Sequence, residues 1–220
     1  MNEVIAQQRT AFFAALRNGD EGAAQAVVDA LRAAEVDTNT IYFDVFAPSM
    51  EQIGELWERN EISVAEEHLA TAITERLISQ LSLQEMQAAP RGQGTVLVGC
   101  VAGERHELGL RMLADLLRQA GWRVLYLGAD VPTADWVQLA VRTHADVVAI
   151  SAGAQRHVPA LRDLIAQLRA ALPDLQVLVG GAIFVRDPTL WREVGATLYD
   201  QHPVQAVQRL TARRMQDTPR

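Results

Sequence analysis

Apolar residues recur at three- and four-residue intervals through residues 3–87, with Val4, Phe12, Ala15 and Leu16 marking the first stripe. That spacing is the signature of helices that bury one face. Asn18-Gly19-Asp20 ends the first helix and caps a second, which carries Ala24, Val27, Val28 and Leu31. A third helix is predicted over about 38–59, bent or interrupted near Pro48, because proline has no N–H to give to the helix ladder. Ser63-Val64-Ala65-Glu66 has the form of a capping box and starts a fourth helix, running to about Met86. Four helices with short connections predict a bundle. The periodicity fails across Ala88-Ala89-Pro90-Arg91-Gly92-Gln93-Gly94, which is the predicted linker.

After Gly94 short apolar runs alternate with amphipathic stretches. Strands are predicted at Thr95–Val101, Arg123–Leu127, Val147–Ser151 and Gln176–Val179, with a short fifth near Ala196–Tyr199. Helices are predicted at about 107–120, 133–143, 157–171, 187–194 and 203–213. Such alternation implies a parallel sheet covered on both faces. The predicted fold class is α/β: a four-helix bundle over residues 1–88, then a doubly wound, flavodoxin- or Rossmann-like domain over 94–215. Ligands of such sheets sit outside the strands' carboxyl ends. Glu104–Gly109, Gly128–Val131, Ser151–Gly153 and Gly180–Gly181 all fall at those ends, so Val131 joins the candidate binding residues.

Composition narrows the function classes. At 49% hydrophobic and 21% charged residues the chain is an ordinary globular protein. A net charge of −7 argues against nucleic acid as a direct partner, since phosphate binding needs a basic face. No apolar run approaches the roughly 18 residues of a membrane span. The N-terminal MNEVIAQQR lacks the layout of a signal peptide. The single cysteine, Cys100, excludes an internal disulfide and fits a reducing cytoplasm. Placed at the end of an apolar strand, it reads as core filler rather than nucleophile. No nucleophile–base pair or acid–base dyad emerges, so an enzyme is not expected.

The chemistry concentrates in Glu104-Arg105-His106-Glu107-Leu108-Gly109, directly after the first strand and Ala102-Gly103. Residues 110–150 separate it from Ser151-Ala152-Gly153, and residues 154–179 lead on to Gly180-Gly181. This arrangement resembles the cobalamin-binding fingerprint of methionine synthase and its relatives, Asp/Glu-x-His-x-x-Gly, then Ser-x-Leu, then Gly-Gly. The resemblance implies that His106 replaces the vitamin's own dimethylbenzimidazole as the lower ligand of cobalt. A metal-bound imidazole needs its second nitrogen held, usually by a carboxylate, and Glu104 is placed for that part. Gly109 lets the corrin approach closely. In the family the displaced nucleotide tail threads into a slot beside the sheet, where Ser151 is expected to bond the benzimidazole and Gly180 and Gly181 to leave room. Gly153 stands where the family has leucine, a departure expected to widen that slot. His144 and His202 read as surface residues, while His157 lies near Ser151 and is not counted in the set.

Trp57 is followed, after residues 58–66, by Glu67-His68. This is similar to the Trp-x9-Glu-His motif of CarH-type photoreceptors, in which a helical bundle shelters the 5′-deoxyadenosyl group above the corrin. The resemblance implies that Trp57 packs beside the adenosyl group and that Glu67 and His68 help to hold it. An indole offers a flat face to a nucleoside, and a carboxylate accepts from ribose hydroxyls. Those photoreceptors usually carry histidine directly after the tryptophan, whereas this chain has Glu58, a poor substitute for a second nitrogen ligand. They also carry an N-terminal MerR-like DNA-binding domain, for which the predicted bundle leaves no space here.

The leading expectation is therefore an adenosylcobalamin-binding light sensor that signals to a protein partner, a regulator, or through self-association. The alternative is a corrinoid methyl carrier of the methanol and methylamine type, which also joins a helical bundle to this domain and would use methylcobalamin. A plain nucleotide-binding domain lacks its Gly-x-Gly-x-x-Gly loop.

Overall fold

The π-helical turn that bends the third helix is the feature that organises the N-terminal half. In the computed structural model, which describes residues 2–85 and 92–217, the chain divides into two units, Met1–Gln87 and Ala88–Arg220. The first comprises α1 (Asn2–Arg17), α2 (Glu21–Ala33), α3 (Thr38–Thr40), a π-helical segment (Ile41–Phe46), α4 (Ala47–Glu58) and α5 (Val64–Glu85). The run 38–58 is thus one continuous helical path with a widened turn just before Pro48. Ala47 N–H reaches back to the Tyr42 carbonyl, a five-residue bond that lets the chain pass the proline. The widened turn is also packed: Ile41, Tyr42, Val45 and Phe46 are buried, Phe46 stacks on Phe12 at 4.6 Å, and Tyr42 Oη donates to the Ile78 carbonyl at 3.2 Å.

Phe12, Ala15 and Leu16 of α1 are buried as their spacing predicts, but Val4 is 48% exposed and lies off the buried face. Asp20 Oδ1 accepts from Ala23 N–H at 2.9 Å and caps α2. The capping box of α5 is complete. Glu66 Oε2 accepts from Ser63 N–H at 2.7 Å, and Ser63 Oγ accepts from Glu66 N–H at 3.3 Å. The start of the predicted linker, residues 88–91, lies outside the described residues, as does Met86.

The second unit is a parallel sheet in the order β2-β1-β3-β4, with β1 at Thr95–Val101, β2 at Arg123–Val131, β3 at Val147–Ser151 and β4 at Gln176–Gly180. Every residue of β1 is buried, which is why the strand reads as an unbroken apolar run rather than an alternation. Leu97 and Val101 join one core with Trp136 of α7 (Thr133–Thr143) and Leu161 of α8 (Val158–Ala171). The alternate positions, Val96, Val98 and Cys100, point to the opposite side by strand geometry. There α6 (Leu108–Gln119) and the C-terminal α11 (Pro203–Asp217) pack on each other. Arg214 pairs with Asp146 at 2.7 Å, and Asp146 also accepts from Thr95 N–H at 2.8 Å, tying α11 to the start of β1.

Three elements depart from the sequence reading. β2 continues four residues past Leu127 through two irregularities in its pairing with β1, at Gly128 (φ 79°) and Asp130 (φ 52°). These left-handed residues break the alternation that marks a strand in sequence. The fifth strand is reduced to a single bridge, Leu178 to Leu198, because Asp200 Oδ1 captures His202 N–H at 3.0 Å and Pro203 opens α11. The helix predicted over 187–194 is shortened to α10 (Leu190–Glu193), and an unpredicted α9 (Ala182–Arg186) precedes it, the two separated by Asp187-Pro188-Thr189. Asp187 turns the chain by accepting from the N–H and hydroxyl of Thr189.

Candidate functional site

The loop after β1 is held from three sides before its histidine ring is reached. Gly103 N–H donates to Asp130 Oδ1 at 2.7 Å, and Asp130 N–H donates to the Glu104 carbonyl at 2.8 Å, so the bulged end of β2 fastens the loop. Cys100 Sγ contacts the His106 carbonyl at 3.6 Å. Burial, then Glu104 and Glu107, push the Cys100 thiol up to about 12, which keeps it protonated and inert. On the other side Glu107 takes Arg111 Nη2 at 2.8 Å and Tyr126 Oη at 3.1 Å, with the Arg111 guanidinium over the tyrosine ring.

Glu104 is the hub. It is 1% exposed, and its Oε1 accepts from the N–H groups of Arg105 (2.8 Å) and His106 (2.9 Å) and from His106 Nδ1 at 2.6 Å. Its Oε2 accepts from Gly153 N–H at 2.5 Å. Burial raises its pKa, but the bonds from the His106 ring and backbone, the His106 charge and the Gly153 N–H outweigh burial and hold the carboxyl at about 2. An ionised Glu104 only accepts, so the proton of that 2.6 Å contact belongs to Nδ1. The lone pair of the neutral ring is thereby assigned to Nε2. The His106 side chain is 79% exposed, in contrast to the carboxylate beneath it. A buried anion orienting an exposed imidazole is the arrangement that a histidine metal ligand requires.

Ser151 and Gly180 are register partners at the ends of β3 and β4, and Ala152 N–H donates to the Gly180 carbonyl at 3.0 Å. Their neighbour Gly181, at φ 104°, has no space for a side chain, since a Cβ would meet the Ala152 carbonyl and Ser151 Oγ. Gly109 and Gly180 differ: a Cβ at either would meet nothing within 4 Å, and neither has a left-handed φ. The fold itself does not demand glycine there. Gly109 even costs α6 about 0.5–1 kcal/mol relative to alanine. Open glycines at the carboxyl ends of the sheet, together with an exposed, oriented imidazole, fit a large flat ligand that must come close to the backbone. Val131 is half-buried against the core at the end of β2, and Arg105 is exposed beside His106.

Gly153 has a steric reason of its own to be glycine: a Cβ there would fall 2.5 Å from Glu104 Oε2. His157 is the residue that sequence reasoning left out. Buried at 3% exposure, it places Nδ1 3.1 Å from Glu104 Oε2, although off hydrogen-bond geometry. Its only signal in the sequence is nearness to Ser151. Asp130 was also missed, its sole mark being a residue type that tolerates left-handed backbone.

In the helical unit Trp57 closes α4 and is 43% exposed. Glu67 accepts from Thr71 Oγ1 at 2.9 Å, and His68 Nε2 lies 3.6 Å from Glu67 Oε2 with its side chain 74% exposed. The structure thus brings Glu67 and His68 together in the first turns of α5, across the short loop 59–63 from Trp57. His144 and His202 are exposed. Among the described residues no three His, Cys, Asp or Glu side chains converge to hold a bare metal ion. No helix of the described residues is long and apolar enough to cross a membrane.

Comparison with known proteins identifies the family. A family model described as B12 binding domain matches residues 94–208, and a second model of the same description matches residues 8–82. The repressor CarH of Myxococcus xanthus is 35% identical over 177 residues, 79% of this chain; the chain spans 57% of the length of CarH. Dimethylamine corrinoid protein 1 of Methanosarcina acetivorans is 28% identical over 79% of this chain and 82% of its own. The monomethylamine corrinoid protein of Methanosarcina barkeri shares the fold at a TM-score of 0.81, with 18% identity over 96% of this chain and 98% of that chain. With a helical N-terminal domain, a Rossmann-like sheet domain and both family models matched, the chain belongs to the B12 binding domain family and takes a cobalt corrinoid as its cofactor.

Proposed function

We propose that the chain is an adenosylcobalamin-binding light sensor rather than an enzyme. His106 is its cobalt ligand, Glu104 orients that ligand, and Ser151, Gly180 and Gly181 accommodate the nucleotide tail. Arg105, Gly109 and Val131 border the corrin, while Trp57, Glu67 and His68 recognise the upper ligand. Adenosylcobalamin supplies a light-labile cobalt–carbon bond. The protein's part is to make two conformations depend on whether the adenosyl group is present, which is the minimum for a switch. The observation that carries this reading is Trp57. A helical unit with a well-filled core leaves the Trp57 indole 43% exposed, and it is followed by the paired Glu67 and His68 in the order and spacing of the CarH-type motif. Glu58 stands where that family has a histidine, so the lit state is expected to gain no second protein nitrogen at cobalt. The output passes to a protein partner or to self-association.

The test is the absorbance spectrum and gel-filtration profile of adenosylcobalamin-loaded protein, in the dark and after green light. The expected result is photolysis with a changed elution volume. An unchanged spectrum and profile would remove the light reading. A methyl carrier is the second reading, supported by the similarity to the dimethylamine corrinoid protein over most of that protein's length. It requires methylcobalamin to bind at least as tightly as adenosylcobalamin. The sensor reading requires the adenosyl form to bind more tightly, and Trp57→Ala to erase that preference.

A further inference from the structure

We propose that Gly153 is a positioning residue for the His106 imidazole: its missing side chain makes the room that the Glu104 carboxylate occupies, so that residues 104 and 153 form one steric unit. Backbone geometry does not explain the glycine, since Gly153 has no left-handed φ. Space does. A Cβ on residue 153 would stand 2.5 Å from Oε2 and 3.4 Å from Cδ of Glu104. A clash with the tip of a flexible side chain is normally relieved by a small swing. Here the tip is fixed: it is 1% exposed, three donors hold Oε1, and the Gly153 N–H itself holds Oε2. Any swing that clears a new methyl group releases the 2.6 Å contact to His106 Nδ1, and with it the orientation of the exposed ring.

Glu104, the longer of the two acids that the family fingerprint allows, and Gly153, the one departure from it, then become a single feature. Glutamate reaches one methylene further than aspartate, and the end of that reach lies where a side chain at 153 would begin. A longer acid and an absent side chain compensate. Glu104→Asp alone withdraws the carboxylate from Gly153 N–H, and Gly153→Leu alone collides with it; the double substitution restores the fingerprint pattern. The cofactor readout of this inference rests on the cobalamin reading, whereas its ring readout does not.

The experiment uses the full chain as G153A, G153L, E104D and E104D/G153L. In cofactor-free protein, 15N shifts of the His106 ring report the Nδ1–H tautomer. In protein loaded with cob(II)alamin, nitrogen superhyperfine splitting and affinity report the ligand. Each single variant is expected to lose the fixed tautomer and to weaken cob(II)alamin binding at least about 10-fold, the usual effect of disturbing a ligand's orienting partner. E104D/G153L is expected to recover both, to within about threefold in affinity. Additive losses in the double variant would overturn the proposal. So would G153A with an unchanged tautomer, and G153A decides the matter if G153L does not fold. Wild-type protein that binds no cob(II)alamin would reject the cofactor reading while the tautomer comparison still judges the steric unit.

Discussion

Glu104 shows how much one side chain can organise when burial and donors act together. Its carboxyl is held at about 2 in the folded chain, below the ordinary glutamate value of about 4.3. A group with a depressed folded pKa contributes stability above its unfolded value and loses it as pH falls through the folded one. Folding stability is therefore expected to decline between about pH 4.3 and pH 2. Glu104→Gln should flatten that part of the profile, as read by urea denaturation at stepped pH. The same substitution removes the anion that holds Nδ1, so corrinoid affinity should drop about 10- to 100-fold. Half of this hub was legible in the sequence. Glu104 and His106 stand two residues apart in a loop, and the chemistry of a ligating imidazole asks for such a carboxylate. The contacts of Gly153 and His157 with Glu104 were not legible, because they depend on where β3 ends relative to β1.

At the scale of elements, local signals were read where they act over a few residues. The Ser63–Glu66 box and the uninterrupted run of β1 are of that kind. Ser63→Ala is expected to cost about 1 kcal/mol, the usual worth of a side-chain N-cap, measured by denaturation. Elements shaped by tertiary contact were misjudged. The last four residues of β2 carry two left-handed positions that only their pairing with β1 keeps in the sheet. Ala196–Tyr199 has the apolar character of a strand but meets β4 at a single bridge before Asp200 turns the chain. α9 follows Gly181 at once, and its Ile183, Phe184 and Val185 read as strand formers. The widened turn of 41–46 was signalled by Pro48, yet nothing in the sequence distinguishes a π-helical detour from a kink.

For the whole molecule, the change from helical to alternating periodicity after residue 94 located the sheet domain, since the two halves bury their apolar groups by different repeats. The cofactor's effect on stability should follow that division. A ligand that binds only the folded state stabilises it by about 2.7 kcal/mol at 100 times its Kd. Cob(II)alamin is expected to raise the calorimetric unfolding temperature of the wild type, and His106→Ala should abolish most of that rise. An equal rise in both proteins would remove residue 106 from the binding account.

Trp136 carries a practical consequence. It is fully buried, its ring closes over Gly99, and its indole N–H lies 3.4 Å from the Cys100 carbonyl, a few residues before the loop that ends in His106. Corrinoids absorb strongly where indoles emit, so energy passing from this buried ring would dim its fluorescence when the cofactor docks. The protein carries its own occupancy gauge, built into the wall of the sheet and needing no added dye.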